Sequence, residues 1–595
     1  MNNNVYSFII SEEANYKAVR VPITTSKDWN MHEHIERCTN VANAWYHSGN
    51  NDGKRPYDDI VSPVLNVARR LEGFDVKDII PFVNNAQKSY KSFLIKKFHP
   101  KWARENELDS FIDELVDSSI IYDLALVKKN TKQAKPELVK LQQIAFCDQT
   151  DVLGGPLCLK HSFSPSDMDE FRSVWESDKI DETITMARAE KTVSSANDRT
   201  VKTPGKYIEV YELHGSMPES WLYDDGDPYK YVPQLHIVSF YASQDGSKNG
   251  ITLYKGKSKK TKEIFKALVL SPIFGRACGK SIVESLFEPQ VWANYSAQKI
   301  KKLLDSAINV FQTSDEEIAN QPIENIKENT ILKHAEGKPL TRVDGTLQNL
   351  QHFQNFKISQ ENNARLIGSA SETALGVNPV SGTPLGTTQL VAFGGQGIHE
   401  HRMGKIATFF SDLLYRDWIL DFLVDDMNGG KAFSEELTSD EMIEISELMA
   451  SNQAEKQVVD SILKGKKVNE SDRQNLISLY KEQFIKGGNR KFMEVVKDEL
   501  KSIPLDVYVN IRGKQRYMAQ NADKITNIIR EIMRSPQAFS QIPGLGKAFN
   551  QLLEESGMSS IDFTSITRLP EANKIPSPLD GPVESEKTLL ANKNI

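Results

Sequence analysis

The fold is decided between Gly275 and Asp426, and the centre of this stretch is the broken segment Gly376-Val377-Asn378-Pro379-Val380-Ser381-Gly382-Thr383-Pro384-Leu385-Gly386. Its glycines open backbone conformations that other residues avoid, and its prolines end regular structure, so the segment predicts an irregular loop. Long helical patterns lie on both sides of it. The sequence therefore predicts a loop at the tip of a helical pair, where it can touch something that passes by.

Two helical patterns precede this loop. Apolar residues recur at helical spacing from Trp292 to Phe311, and Pro289 suits the first turn of that helix. A second apolar face runs from Phe353 to Ala374 among many Asn and Gln side chains. We expect two long helices, the second of which is more polar than a core helix should be.

A third helical pattern follows the loop. Thr387 and Thr388 can cap its start, and glycines 394, 395 and 397 come soon afterwards. The pattern ends as an apolar rod that includes Trp418. Because glycines inside a helix favour a bend, we expect a bent helix.

The segment Gly275-Arg276-Ala277-Cys278-Gly279-Lys280-Ser281 resembles a phosphate-binding loop. That motif needs four residues between its glycines so that backbone N–H groups wrap the phosphates, and only three are present here. Nucleotide hydrolysis also requires an acidic residue at the end of a strand, whereas Asp425 and Asp426 end a helical pattern. We interpret the glycines as a close turn that begins the first helix. The alternative is a nucleotide- or nucleic-acid-processing enzyme that uses Gly275–Ser281.

The N-terminal half combines two textures. Helical patterns occupy residues 57–128, and alternating apolar and polar residues follow up to Tyr254. The clearest alternating runs are Tyr207–Leu213 and His236–Tyr241. Helices followed by strands predict an α+β fold.

The order of these parts resembles the core of portal proteins of tailed bacteriophages, especially those of short-tailed phages. The resemblance spans roughly residues 56–555. It is carried by the order of the glycine turn, the first helix, an acidic segment, the second helix, the loop, the bent helix and the strand-like Asp506–Gly513. It implies an α+β subunit that assembles into a ring, usually of twelve copies, at one capsid vertex. Double-stranded DNA passes through such a ring during packaging and ejection.

The resemblance also implies how the chain is divided. The expected segments are an N-terminal arm (1–55), a wing of helices and then strands (56–275), stem helix one (276–309), a clip (310–346), stem helix two (347–375), a tunnel loop (376–388), a tunnel helix (389–427), a helical insertion with return to the wing (428–502), a wing strand with crown helices (503–558) and a flexible tail (559–595). We expect helix packing between subunits, including the apolar face around Trp418, to hold the ring together.

Three groups of site residues follow from this interpretation. The tunnel loop would face the bore with Val377, Asn378, Val380, Ser381, Thr383 and Leu385. The basic residues that could face DNA are Lys299, Lys301 and Lys302. The clip would dock a partner through Asp315, Glu316, Glu317, Glu324 and Glu328. The alternatives are a buried connector for the loop and a solvated acidic face for the clip.

Composition agrees with a conduit better than with a clamp. The 595 residues have a formal net charge of −7, whereas a simple nucleic-acid binder usually has a strongly basic domain. A weakly acidic bore would let DNA slide, because each cation that faces phosphate adds salt-dependent affinity. The implied partners are further copies of the chain, double-stranded DNA, terminase, major capsid and scaffold proteins, and adaptor or tail proteins. A scaffold protein of α+β fold with other partners is the remaining interpretation.

Neither a cofactor, a metal site nor a catalytic group is expected. His399 and His401 lie about 200° apart on a helix and cannot share one metal. His32 and His34 have the same spacing and would point both rings one way in an extended segment, but we interpret both pairs as surface or hydrogen-bonded histidines. Cys38, Cys147, Cys158 and Cys278 lack disulfide or metal spacing, which predicts reduced thiols. No apolar run approaches a membrane span, and the N-terminus lacks signal-peptide features. We therefore expect a virion protein that is assembled in the host cytoplasm and does not enter a membrane.

Overall fold

The computed structural model describes residues 2–24, 27–44, 57–83, 89–189, 207–242, 248–306, 310–312, 337, 341–343, 348–370, 385–428, 432–436, 439–464, 469–486, 490–494 and 505–509. They form two compact units. The first unit takes its described residues from 1–79, 102–422 and 507–511, and the second from 80–101 and 423–506. Antiparallel sheets and helices share the chain, which confirms a mixed α+β fold.

The N-terminal residues belong to the core of the first unit. Their elements are α1 (Asn2–Ala18), β1 (Val21–Thr24), β2 (Lys27–Trp29), α2 (Met31–Ala42) and α3 (Ser62–Glu72). Ile9 and Met31 are fully buried, and α1 contacts the sheet while α2 contacts the helices of the unit. The expected peripheral arm is therefore wrong for these helices, because a few apolar residues at helical spacing are enough to dock each of them.

The middle of the chain holds the principal sheet. In chain order the helices and strands from Ile79 to Leu268 are β3 (Ile79–Val83), α4 (Ser89–Glu105), α5 (Leu108–Tyr122), β4 (Ala125–Lys128), β5 (Glu137–Val139), β6 (Ile144–Phe146), β7 (Leu157–Phe163), α6 (Pro165–Glu170), α7 (Ser177–Ala189), β8 (Ile208–Pro218), β9 (Tyr231–Ala242), β10 (Lys248–Lys257), α8 (Thr261–Ile264) and β11 (Phe265–Leu268). The five-stranded sheet has the order β10-β9-β8-β7-β6, and all its neighbours are antiparallel. The strands predicted at Tyr207–Leu213 and His236–Tyr241 are confirmed within β8 and β9.

Helices α6 and α7 cover one face of this sheet. Met168 and Ile180 have no exposed surface and pack with Val210 and Leu253 from the strands. Elsewhere in the first unit, Phe111 of α5 is completely buried, in agreement with the helical pattern predicted for residues 57–128. The core around the five-stranded sheet is thus formed by side chains of this chain.

The long helices come next. They are α9 (Ile282–Ser306), α10 (Gln348–Ile367), α11 (Leu385–Thr408), a π-helical segment (Phe409–Ile419) and α12 (Leu420–Asn428), with the short strands β12 (Val310–Gln312) and β13 (Thr341–Val343) between α9 and α10. The two strands pair antiparallel, with Val310 opposite Val343. Between α9 and α10 the chain therefore makes an excursion whose base is a two-stranded ribbon.

Three expectations about these helices are corrected. Helix α9 begins at Ile282, so Pro289 lies inside it rather than in its first turn. Helix α11 begins at Leu385, before the expected caps Thr387 and Thr388, and places Leu385 in a helix rather than in a loop. The helix runs through glycines 394, 395 and 397, and the change in hydrogen-bond register comes later, in the π-helical segment.

Trp418 is buried inside the first unit. Its exposed fraction is 5%, and the Lys266 ammonium lies 4.8 Å from its ring centroid. Lys266 also pairs with Asp417 at 2.6 Å. The apolar face around Trp418 is satisfied within the chain, which corrects its expected role in ring contacts.

The second unit contains the predicted insertion. Its remaining elements are β14 (Ala432–Glu436), α13 (Ser439–Leu463), α14 (Glu470–Lys486) and β15 (Arg490–Glu494). The next strand, β16 (Leu505–Val509), leads along the chain back to residues of the first unit. Helices α13 and α14 pack together, and Arg473 bonds to Glu455 at 2.9 Å across them. The strands β14 and β15 pair antiparallel at the two ends of this helical pair. Among the described helices of both units, none is long and apolar enough to cross a membrane.

Candidate functional site

Helices α9 and α10, which correspond to the two helical patterns predicted before the loop, pack against each other. With 25 and 20 residues they extend about 37 Å and about 30 Å at the usual helical rise. The contact includes an edge-to-face pair between Trp292 and Phe356, whose ring centroids are 5.9 Å apart. Lys357 of α10 also bonds to Asp58 at 3.0 Å.

One face of α9 carries aromatic and basic side chains into solvent. Trp292 and Tyr295 are 46% and 45% exposed, and their rings meet edge to face at 5.8 Å. Lys299 and Lys302 continue the same face at helical spacing, and the Lys299 ammonium lies 5.3 Å from the Tyr295 ring centroid. Lys302 is exposed, Lys299 is half-buried, and Lys301, also half-buried, lies on another side of the helix. The predicted lysines are thus divided between two faces.

Helix α10 is almost uncovered. Between Leu350 and Ile367 only Ala364 is buried. The exposed apolar side chains of the pair are Trp292, Tyr295, Leu304, Phe356, Ile358, Leu366 and Ile367. A surface helix of a globular protein usually buries its apolar residues on one face, whereas α10 exposes several of its apolar side chains.

The turn at Gly275–Ser281 lacks a phosphate cradle. The N–H groups of Ala277, Gly279 and Lys280 donate to the carbonyls of Gln149, Asp123 and Ser271, at 2.8, 3.3 and 2.9 Å. Since these donors are used within the protein, they cannot wrap a phosphate. A Cβ on Gly279 would collide with the Asp123 carboxylate, which explains the glycine by close packing.

The same turn begins α9, as the sequence predicts. Gly275 adopts a left-handed conformation with φ of 85°. Ser281 Oγ accepts from the Glu284 N–H at 2.9 Å and caps the helix. Arg276 donates to both carboxylate oxygens of Glu284, at 2.9 and 2.6 Å, and to the Gly279 carbonyl. The turn is therefore held by side chains on both sides of the helix start.

A buried cluster of ionisable side chains adjoins this turn. Arg402 Nε donates to Glu72 Oε1 at 2.8 Å, and Arg402 Nη1 lies 3.9 Å from Asp123 Oδ1. The side chains of Glu72 and Asp123 have no exposed surface. Buried carboxylates are destabilising without a cation or hydrogen-bond donors, so Arg402 neutralises this part of the core.

His399 joins the cluster to the end of α10. Its Nδ1 lies 2.8 Å from Glu72 Oε1, and its Nε2 lies 3.0 Å from the Gly368 carbonyl. A carbonyl oxygen only accepts, so Nε2 donates to Gly368, and Glu72 Oε1 contacts both Arg402 and the Nδ1 of His399. The residues on either side of the expected tunnel loop, Gly368 and His399, are therefore joined directly.

Asp123 is the second buried carboxylate of the cluster. It ends α5 in a left-handed conformation and accepts from the N–H groups of Leu270 and Ser271 at 3.1 and 2.8 Å. Burial raises its pKa to about 6, although Arg402 and these hydrogen bonds act in the opposite direction. Desolvation therefore outweighs the neighbouring positive charge.

A cleft of about 770 Å³ opens beside this cluster. The loop at Leu270–Ile273, the first turn of α9, the end of α10 and one side of α11 form its walls. The predicted glycine motif contributes Lys280 and Ser281. The cleft thus gathers segments that lie far apart in the sequence.

Other predicted site residues have different outcomes. The tunnel-loop residues Val377, Asn378, Val380, Ser381 and Thr383 and the clip residues Asp315, Glu316, Glu317, Glu324 and Glu328 lie outside the described residues. All four cysteines are free, and Cys147 is the one that is not buried. Within the described ranges, no group of three His, Cys, Asp or Glu side chains could hold a metal.

The histidines near the N-terminus lie on a helix rather than in an extended segment. Both His32 and His34 belong to α2. His34 is buried, and burial lowers its pKa to about 4. Burial likewise lowers the pKa of His236 in β9 to about 4. These are neutral core histidines.

No family model matches the chain, and no curated protein is similar to it. Among solved structures, a chain in the virion of a native gene transfer agent (GTA) particle is similar, with a TM-score of 0.32 and 9% sequence identity. The similarity covers 93% of this chain and 99% of that chain. A TM-score this low assigns neither a fold nor a function.

Proposed function

We propose that the chain is the subunit of a portal ring. In this role copies of the chain surround a bore at one capsid vertex, conduct double-stranded DNA during packaging and ejection, and dock terminase first and adaptor or tail proteins afterwards. The observation that carries the proposal is the exposed helical pair α9/α10, together with the two-stranded ribbon of β12 and β13 between these helices in the chain.

Exposure of the pair supports contact with further copies. Trp292, Phe356 and Leu366 are 46%, 40% and 79% exposed, although the pair lies in a chain that buries comparable residues elsewhere. Aromatic side chains are enriched in protein interfaces, and clusters of exposed apolar residues mark association sites. The Asn and Gln residues of α10 would supply hydrogen bonds in the same contact.

Charge supports a DNA conduit. The chain is weakly acidic overall, with Lys299 and Lys302 on the solvent-facing side of α9. Scattered lysines give weak, salt-dependent contact with phosphate and no sequence recognition. A bore of this kind would allow DNA to move in both directions.

Class averages from electron microscopy of the purified full-length chain test the proposal. We expect rings with a central opening. Particles without rotational symmetry at every concentration and salt tested would reject it.

The alternative, a nucleotide- or nucleic-acid-processing enzyme, requires a nucleotide-binding site. It requires Gly275–Ser281 to bind a nucleotide through its backbone, and the hydrogen bonds of Ala277, Gly279 and Lys280 oppose this. ATP hydrolysis by the purified chain that is lost in Lys280→Ala would favour the enzyme. We expect no hydrolysis above background in either protein, because packaging is expected to be driven by the separate terminase.

A further inference from the structure

The cleft beside the buried cluster has a one-sided charge. Its basic lining residues are Lys280, His399, His401, Arg402 and Lys405, and the other lining residues are Leu270, Ser271, Pro272, Ile273, Ser281, Ile282, Ser285, Ile367, Gly368, Ser369 and Ile398. Acidic side chains are thus missing from the described lining, although acidic residues exceed basic ones in the chain, 80 to 73. A basic, concave surface on an acidic chain favours an anion as ligand.

Not every one of these cations is available. Arg402 is engaged by Glu72 and approaches Asp123, and His399 is held between Glu72 and the Gly368 carbonyl. These two side chains are therefore already used by contacts within the protein. The available positive charge must come from the remaining basic residues.

Two lysines supply it. Lys280 is exposed and has no ion-pair partner in the described part of the chain. Lys405 donates one hydrogen bond, to the Leu270 carbonyl at 2.6 Å, which leaves two of its three donors. His401, at the surface of the same wall, adds an exposed imidazole to the lining.

The ends of helices α9 and α10 also contribute to the electrostatic potential in the cleft. Ser281, Ile282 and Ser285 bring the N-terminal turn of the 25-residue helix α9 to the cleft, where its dipole favours negative charge. The C-terminal end of α10 opposes this effect, but its Gly368 carbonyl is occupied by His399. The two lysines and the start of α9 therefore dominate.

We propose that this cleft is a binding site for a phosphate-bearing anion. Lys280 and Lys405 provide the charge-assisted hydrogen bonds, and the walls orient the ligand without hydrolysing it. Phosphate can come from a small anion or from the backbone of nucleic acid. The site lies within the first unit of one chain, so it does not depend on ring assembly.

Titration calorimetry of the full-length chain with pyrophosphate at low salt is the first test. We expect one site per chain, with binding about tenfold weaker in Lys280→Gln and in Lys405→Gln, because each loses a charge-assisted hydrogen bond. Lys280→Arg should retain most of the affinity. Lys132→Gln removes an exposed lysine outside the cleft lining and should bind like the unmodified chain. Thermal unfolding of each variant checks that the fold is intact.

The second test uses a short DNA duplex and separates the two sources. If the ligand is a nucleic-acid backbone, Lys280→Gln/Lys405→Gln should lower the slope of log affinity against log salt by about two relative to Lys132→Gln. An unchanged slope together with weakened pyrophosphate binding assigns the site to a small anion. If neither probe distinguishes the double variant from Lys132→Gln, the proposed site is wrong, whatever the size of the assembled particle.

Discussion

The five-stranded sheet and the helical pair differ in how much of their apolar surface the chain itself covers. In β8, Val210 and Leu213 are fully buried, and α6 and α7 close the sheet on one side. In α10 the exposed Phe356 and Leu366 have no comparable cover. Both regions contain large apolar residues, so composition alone does not separate them. The difference shows that the sheet is covered by the chain itself, whereas the helical pair is suited to contact with another molecule.

Two tryptophans make the comparison measurable, since Trp418 is 5% exposed and Trp292 is 46% exposed. Replacing a buried tryptophan by alanine removes packing and leaves a cavity. We expect Trp418→Ala to lower the free energy of unfolding by about 3–5 kcal/mol. Denaturant unfolding monitored by circular dichroism measures this, and a loss below about 1 kcal/mol would contradict the buried position of Trp418.

Acid should destabilise the five-stranded sheet through its buried histidine His236. The pKa of His236 is lowered to about 4 by burial, below its unfolded value of about 6.5. The unfolded chain therefore binds a proton first as the pH falls, and stability present above pH 6.5 is lost towards pH 4. For His236 alone the loss is about 2 kcal/mol by pH 5.

His236→Gln isolates this effect, because glutamine can still donate to Gln234, which His236 contacts at 2.8 Å. We expect the variant to lose less stability than the unmodified chain between pH 7 and pH 5 in urea unfolding. Asp123 acts in the opposite direction, since its raised pKa of about 6 makes the folded state take up a proton as the pH falls below 6. Equal losses in both proteins would show that His236 is not held neutral.

Trp292→Ala tests the other side of the comparison. It removes ring contacts with Tyr295 and Phe356, which cost the single chain about 1–2 kcal/mol. A central interface tryptophan commonly contributes 2 kcal/mol or more to each contact, so assembly should weaken more than folding. Size-exclusion chromatography with light scattering compares the variant with the exposed-surface control Tyr229→Ala. Rings of unchanged stability would place the subunit contact elsewhere.

The smallest expected effect concerns the lysines of α9. Lys299 and Lys302 share the exposed face with Tyr295, whereas Lys301 lies on another side. We expect Lys299→Gln/Lys302→Gln to reduce the salt slope of nonspecific DNA binding by up to about two, and Lys301→Gln to leave it unchanged. Filter binding over a range of salt concentrations measures the slopes. A larger effect from Lys301→Gln would reverse the assignment of the DNA-facing side.

Local patterns were sufficient for much of the fold. Alternation predicted β8 and β9, and the glycine turn before α9 followed from Gly275 and its neighbours. The start of α9 was misplaced because Pro289 suggested a first turn, whereas Ser281 provides the actual cap. The N-terminal helices were missed because polar residues separate their few buried positions, such as Val5 and Ile9.

The buried cluster could not be predicted in the same way. Glu72, Asp123 and Arg402 are brought together by tertiary packing, and no local spacing relates them. A partial signal existed in His399, because a histidine and an arginine three positions apart share one helix face. Their carboxylate partner Glu72 is 327 residues from His399, which sequence patterns do not reveal.

The central claim, that the helical pair needs further copies of the chain, is tested most directly by the mass of the purified full-length protein in solution. Mass photometry over a dilution series gives this mass without labels. Twelve copies of the 67.1 kDa chain, the number that the portal resemblance implies, would have a mass of about 805 kDa. A dominant ring-sized species that persists on dilution is the expected result, and a single 67.1 kDa species at every concentration would contradict it.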